Sequence, residues 1–290
     1  MLRDLAVVRP DTVDDALQHL AQAVVAGTPL RPMAGCTDLL VDAHFGKALA
    51  PILLDLWPLR GELGGLRWTA DGLEIGALCT YAQAISDKRF RDALPMLTQA
   101  SALVGATQIQ FRGTFAGNVE NGSPAADAAP ALMALEARIR LKSVRGEREI
   151  ALQDYYAGYR QTRRQADELI VAIVVPAASL AANGQWMRKV GTRAFQAITK
   201  VGLCGVLSWQ QGTLASVRLV AVSMAATVKR CQQLEAYLTG RTLADVDARD
   251  LRAAQARDLA PIDDVRSTAV YRAEVFARLI EQALRETAAQ

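Results

Sequence analysis

Histidine is nearly missing from this chain: His19 and His44 are the two present in 290 residues. Four cysteines (Cys36, Cys79, Cys204 and Cys231) lie far apart with no C-x-x-C pair, so no zinc or iron–sulfur ligand set is visible. They read as reduced, mostly buried thiols, and no metal is expected in this chain. The two common phosphate cradles, G-x-G-x-x-G and G-x-x-x-x-G-K-[ST], are absent as well, which excludes those motifs but not phosphate binding itself. Long apolar runs are lacking: the longest, such as Leu169 to Val175, are strand-sized and far below the roughly 18 residues of a membrane span. Nor does one sign of charge dominate. Lys and Arg number 33 against 30 acidic residues, a net charge of +3, and the cations are dispersed, which argues against nucleic acid. The N-terminus reaches Asp4 and Pro10 without a signal-peptide core, so the cytoplasm is the expected location.

What remains is an ordinary globular composition, 51% hydrophobic and 22% charged, with aromatics at 6%. Such a chain can bury a substantial core without disulfides, as one large domain or two ordinary ones of mixed helix and sheet. Past a first strand or arm ending at Pro10, Asp11 or Thr12 caps a helix carrying Val13, Leu17 and Leu20 on one face. A short strand then runs to Gly35, and a second helix starts at Thr37 or Asp38. Pro51 to Leu56 reads as a buried strand, Asp71-Gly72 as a hairpin turn, and Thr80 as a helix start. From about Arg91 the pattern is helical, with Pro95 as a break or a new start. Apolar and charged positions alternate on both sides of Arg145-Gly146, and an Arg-rich polar loop leads to the strand "ELIVAIVVP". The segment Ala177 to Gln185 is the best candidate for a domain boundary. After it come strands turning at Gln211-Gly212, then helices from about Val228, so the second unit is a layer of sheet and helix.

Two turns carry chemistry. "MAGCTD" and "TFAGNVENGSPAAD" each offer glycine backbone that can approach a ligand closely, with hydroxyls and N–H groups near a helix start. Taken singly, each is an ordinary loop, because Thr, Asp, Asn and Ser hydrogen-bond their own backbone. Together they could share one pyrophosphate.

The pair resembles the flavin loops of the FAD-binding subunit of the molybdenum hydroxylases, the xanthine dehydrogenase, carbon monoxide dehydrogenase and aldehyde oxidase family. Ala34-Gly35-Cys36-Thr37-Asp38-Leu39 matches A-G-G-T-D-L, and Thr114 to Asp127 matches T-[IV]-G-G-N-x-x-x-x-S-P-x-x-D. Collinear with them, "MRKVGTRAFQAITKV", "VSMAATVKRC" and "DVRSTAVYRAEVFARLI" resemble three further family segments, so the likeness spans essentially the whole chain.

The resemblance implies an α+β fold: a two-part FAD-binding domain of the vanillyl-alcohol-oxidase (PCMH-like) type, residues 1–57 and 58–177, then a smaller α+β domain, 183–290. It assigns the pyrophosphate and ribityl chain to Met33, Ala34, Gly35, Cys36, Thr37, Asp38 and Leu39 with Thr114, Gly117 and Asn118. Ser123 and Asp127 take polar edges of the flavin, Val104 and Gly105 line its pocket, Ile170 is an apolar contact, and Lys189 stands near the ring, where a cation favours the reduced anion. Cys36 and Ala116 replace family glycines. Glu120 stands where a small or apolar residue is usual, so its carboxylate either lowers the flavin potential or points to solvent.

The implied function is electron transfer: FAD takes electrons from a partner's clusters and hands them to NAD or another acceptor, with no catalytic acid, base or metal in this chain. Molybdopterin would sit on a large partner subunit and [2Fe–2S] clusters on a small one, in a dimer of heterotrimers. Two readings compete: a fold-retaining assembly or binding subunit without flavin, and a stand-alone flavin oxidase.

Overall fold

The computed structural model describes residues 5–47 and 49–289. Strand β1 (Ala6–Val8) leads to α1 (Val13–Ala26), whose N-cap is Thr12: its hydroxyl accepts from the Asp15 N–H, and Gly27 ends the helix in the left-handed region at φ 64°. Next come β2 (Leu30–Met33), α2 (Leu39–His44) and β3 (Ile52–Asp55). The three strands form a parallel sheet in the order β1-β3-β2. Leu17 and Leu20 of α1 and Leu54 of β3 are buried in one cluster, so the helix covers the sheet with its apolar face.

A short helix α3 (Arg60–Leu63) introduces the β4 (Leu66–Thr69) and β5 (Gly72–Gly76) hairpin, turning at Asp71-Gly72 as its sequence predicts. Thr80 then caps α4 (Tyr81–Ser86) with a full capping box to Gln83. The helical stretch expected from about Arg91 begins earlier, because Asp87 caps α5 (Lys88–Ala93), and Pro95 opens a separate helix α6 (Pro95–Ala102) at its first position. One turn, α7 (Thr107–Gln110), precedes α8 (Phe115–Glu120) and α9 (Ala128–Ala134).

The alternating pattern around Arg145-Gly146 is the hairpin of β6 (Arg138–Ser143) and β7 (Gly146–Ala151), followed by the single turn α10 (Leu152–Tyr155). The Arg-rich stretch is more than a loop: it holds a small hairpin, β8 (Tyr156–Gly158) and β9 (Gln161–Thr162). Strands of three and two residues are too short to show a period of two. Strand β10 (Leu169–Pro176) then enters the centre of a five-stranded antiparallel sheet, β4-β5-β10-β6-β7.

Between Ala177 and Gln185 the chain makes one helical turn, α11 (Ala177–Leu180), and begins β11 (Gln185–Val190). The long hairpin of β12 (Val201–Gln210) and β13 (Thr213–Val222) closes at Gln211-Gly212, both with positive φ, and β14 (Lys229–Arg230) completes the sheet β11-β12-β13-β14. Helices α12 (Gln232–Leu238), α13 (Ala248–Asp258) and α14 (Ala269–Ala288) follow it. The fold class is therefore α+β, as expected.

Every residue of α9 is buried. Its small side chains share one core with Leu73 and Ile75 of β5, Ile173 of β10, Cys204 and Val206 of β12 and Val220 of β13. A helix that is apolar all round belongs in an interior, and α9 lies between the five-stranded and four-stranded sheets. Among the described residues no helix is long and apolar enough to cross a membrane.

Candidate flavin site

The first turn is shaped by contact with the second. At Gly35 an added Cβ would stand 1.7 Å from the Arg112 carbonyl oxygen, so only glycine lets residues 34–36 lie against Arg112-Gly113. Cys36 follows at φ 62°, a left-handed conformation that costs a side-chain-bearing residue about 1 kcal/mol or more. Burial pushes its thiol pKa up; the nearby Arg112 charge opposes this and Asp55 adds to it, and the thiol stays neutral. Arg112 itself is held by stacking on Trp57, 3.9 Å from the ring centroid.

Across this turn the backbone N–H groups of Gly35, Cys36, Thr37 and Asp38 donate to no acceptor among the described residues. Asp38 caps α2 without a side-chain hydrogen bond, and its Oδ2 is buried with no donor. The Arg160 guanidinium, at 3.7 Å, attracts that oxygen but lies beyond hydrogen-bond reach. Free N–H groups beside an unsatisfied acceptor suit a ligand with phosphate oxygens and hydroxyls together.

The second turn is built more rigidly. Thr114 accepts from the Gly117 N–H at 3.0 Å, and the buried Tyr81 hydroxyl donates to the Thr114 carbonyl at 3.3 Å. Ala116 needs no unusual backbone: it is an interior residue of α8, where alanine suits better than the family's glycine. Asn118 points back into the fold, its Oδ1 accepting from the Ala129 N–H at 3.1 Å. Ser123 accepts from Ala125 at 3.2 Å, and the Pro124 carbonyl receives the Ser223 N–H at the end of β13.

At the far end Asp127, Lys189 and the 103–105 turn meet. Lys189 Nζ is 2.8 Å from Asp127 Oδ2 and 3.4 Å from the Leu103 carbonyl, while the Thr199 hydroxyl donates to Asp127 Oδ1 at 3.1 Å. Burial pushes the Asp127 pKa up against the pull of Lys189 and Thr199. Gly105, at φ 53°, keeps the adjoining turn tight against Ile109. Ile170 lies in the same core as Ala116 and Val119, beneath α8.

Glu120 is tied into the protein by three donors. Its carboxylate accepts from the Tyr155 hydroxyl at 2.5 Å, Thr162 at 3.3 Å and Arg164 Nε at 2.8 Å. The buried Tyr155 phenol is pushed far up in pKa by desolvation and then by this carboxylate, so it remains a donor. Arg112, Arg160 and Arg164 are the side chains that sequence motifs passed over. For Arg160 and Arg164 the one local signal is the density of arginine after the Gly158-Tyr159 turn; Arg112 has none. A large open hollow elsewhere, 730 Å³ between Gln210 and Gly240, is lined by no titratable group and offers no chemistry.

The family model for the FAD binding domain in molybdopterin dehydrogenase matches residues 3–178. The chain belongs to this FAD-binding family. A second family model, the CO dehydrogenase flavoprotein C-terminal domain, matches residues 186–287 of the same flavoprotein. The carbon monoxide dehydrogenase medium chain of Afipia carboxidovorans is 29% identical, with 97% of this chain and 96% of that protein covered. The 6-hydroxypseudooxynicotine dehydrogenase complex subunit alpha of Paenarthrobacter nicotinovorans is also 29% identical, with 94% and 91% covered. Among solved structures, a carbon monoxide dehydrogenase from Hydrogenophaga pseudoflava superposes with a TM-score of 0.90 at 26% identity, covering 98% of this chain and 97% of that one. The flavoprotein is thus an oxidoreductase subunit of the xanthine and carbon monoxide dehydrogenase kind, with an FAD-binding domain followed by a C-terminal domain.

The residues fit the cofactor. The four free N–H groups and the orphaned Asp38 oxygen answer to a pyrophosphate flanked by hydroxyls. Gly35 lets the first turn pack against Arg112-Gly113, which brings its free N–H groups up to the second segment.

Proposed function

We propose that this chain holds FAD between the 33–39 and 114–127 segments and relays electrons from iron–sulfur clusters of a small partner subunit to an acceptor such as NAD. Substrate oxidation in this reading belongs to a large molybdopterin-bearing partner, the three chains pairing as a dimer of heterotrimers. The observation that carries it is the run of unengaged N–H groups from Gly35 to Asp38, pressed against Arg112-Gly113 in a chain of this family.

When bound, FAD supplies the exchange between single electrons and a two-electron hydride. The protein's residues bind and orient. Gly35, Cys36, Thr37 and Asp38, with Met33, Ala34 and Leu39 as their backbone frame, take the pyrophosphate. Thr114, Gly117 and Asn118 hold the facing segment, Asn118 indirectly by tying α8 to α9. Val104, Gly105 and Ile170 are the apolar lining and Ser123 a polar edge. Lys189 carries the positive charge that offsets electron gain, and Asp127 orients its ammonium. The neutral Cys36 thiol adds no charge against the pyrophosphate.

The test is the absorbance of the purified chain and of the complex that copurifies with it. Flavin bands that release FAD on denaturation, with molybdenum and iron partners present, are expected; a colourless folded protein overturns the reading. Reduction of the complex by NADH decides the acceptor, since a flavin that NADH does not reduce removes NAD from it.

A further inference from the structure

The 33–39 segment packs at Gly35 against Arg112-Gly113, just ahead of the 114–127 segment. Between the start of α2 and the exit from α8 the Arg160 side chain reaches both. Arg160 Nη1 lies 3.1 Å from Asn121 Oδ1, 3.7 Å from Asp38 Oδ2 and 3.6 Å from Asp42 Oδ2. Its backbone N–H also donates to the Gly122 carbonyl at 3.3 Å. The two backbones abut closely, because a Cβ on Gly122 would meet Arg160 Cα at 3.1 Å.

An arginine at the tip of a hairpin is ordinarily a solvated side chain. This one has φ 53°, a conformation that persists in a branched-out residue where surrounding contacts over-determine it. The hairpin beneath it supplies those contacts. Tyr155, Thr162 and Arg164 donate to Glu120 at the end of α8, and the Tyr156 hydroxyl donates to the Val119 carbonyl at 3.2 Å. A carboxylate at a helix C-terminus is unfavourable to the helix dipole, and here the three donors offset it. Glu120 is thereby an anchor for β8–β9, and the hairpin presents Arg160 to both segments at once.

We infer that Arg160 is a positioning residue for FAD: anchored through Glu120, it sets the spacing of the 33–39 and 114–127 segments and offsets the charge of the Asp38 carboxylate beside the pyrophosphate. This rests on the FAD reading above. Asp42 keeps Lys47 as a partner at 2.5 Å, so without the guanidinium it is the Asp38 carboxylate that stands uncompensated and the Arg160–Asn121 bridge that is lost.

The experiment titrates FAD into apoprotein of the wild type, Arg160→Met, Arg160→Lys and the double variant Arg160→Met with Asp38→Asn, following flavin fluorescence, with the thermal midpoint of each apoprotein alongside. Arg160→Met should weaken FAD binding about tenfold or more, as expected for one lost charge-assisted bridge. Arg160→Lys should recover part of that loss. Asp38→Asn should make the Arg160→Met penalty smaller than it is alone, while the apoprotein midpoints stay close together. Arg160→Met binding FAD as tightly as wild type overturns the inference and leaves the FAD reading intact. So does a loss that Lys does not rescue and that tracks a fall in apoprotein midpoint, which would make Arg160 merely structural. A wild-type apoprotein that takes up no FAD overturns both.

Discussion

Cys36 carries a side chain through a backbone conformation that favours glycine, at φ 62°. Its neighbour Gly35 could not exchange places with it, since any Cβ at 35 collides with the Arg112 carbonyl. Position 36 is different: the strain there is conformational, and the thiol gains little, a long contact of 3.5 Å from its sulfur to the Ala34 carbonyl. Cys36→Gly relieves about 1 kcal/mol of left-handed strain and gives back roughly half of that or more in unfolded-chain entropy. The net expectation is a gain of at most about 0.5 kcal/mol in urea unfolding, with FAD affinity kept. A destabilised variant would mean that the thiol packs better than its conformation suggests. This residue-level distinction was legible only in part. The sequence marks Cys36 and Ala116 alike, as replacements of glycine, but only 36 needs positive φ; Ala116 is helical, and that difference is set by where α8 begins.

Elements meet around Asp127, where the start of α9, strand β11 and the 103–105 turn converge on one ion pair. Desolvation raises the Asp127 pKa above its ordinary 3.8, and Lys189 and Thr199 pull it back without cancelling the rise. A carboxylate whose folded pKa lies above its unfolded one binds more protons when folded, so stability falls as pH rises between the two values. Lys189→Met removes both the charge and the ammonium hydrogen bond, lifts the folded pKa further and stretches that window upward. Relative to wild type, the variant should lose stability with rising pH from 3.8 over a wider range, and Asp127→Asn in the same background should remove that difference, the opposite slope from carboxylates such as Glu74 and Asp264 being common to all. Urea midpoints across the pH range check this; a difference from wild type that survives Asp127→Asn places its source elsewhere. The elements themselves were largely readable because capping and hairpin chemistry is local: Thr12, Thr80 and Gln211-Gly212 act where the sequence puts them. The β8–β9 hairpin was not, since its stability lies in side chains reaching Glu120, 35 and more residues away.

For the whole molecule, the decisive contact is α9 with the strands that follow the Ala177–Gln185 segment. Sequence composition marks that segment as a boundary, and the family models divide the chain on either side of it. The core is not divided there: Leu132 and Met133 share a cluster with Met187, Cys204, Val206 and Val220. Charges repeat the bridge outside, with Arg218 and Arg230 both paired to Glu136. An apolar helix covered from both sides loses its burial if either side leaves, at about 25 cal/mol for each Å² exposed, so the two halves depend on each other. Trp57 and Trp68 report on one half and Trp186 and Trp209 on the other. With single tryptophans retained in each half, urea unfolding of the apoprotein should give coincident transitions. The 1–178 fragment alone should expose the outer face of α9 and bind a hydrophobic dye that the full chain does not. Two separated transitions, or a fragment that stays folded and dye-free, would mean the interface is a contact between independent domains. Coincidence would tie the 114–127 loop to the C-terminal sheet through α9, the helix that follows it, so that losing that sheet would also loosen the loop.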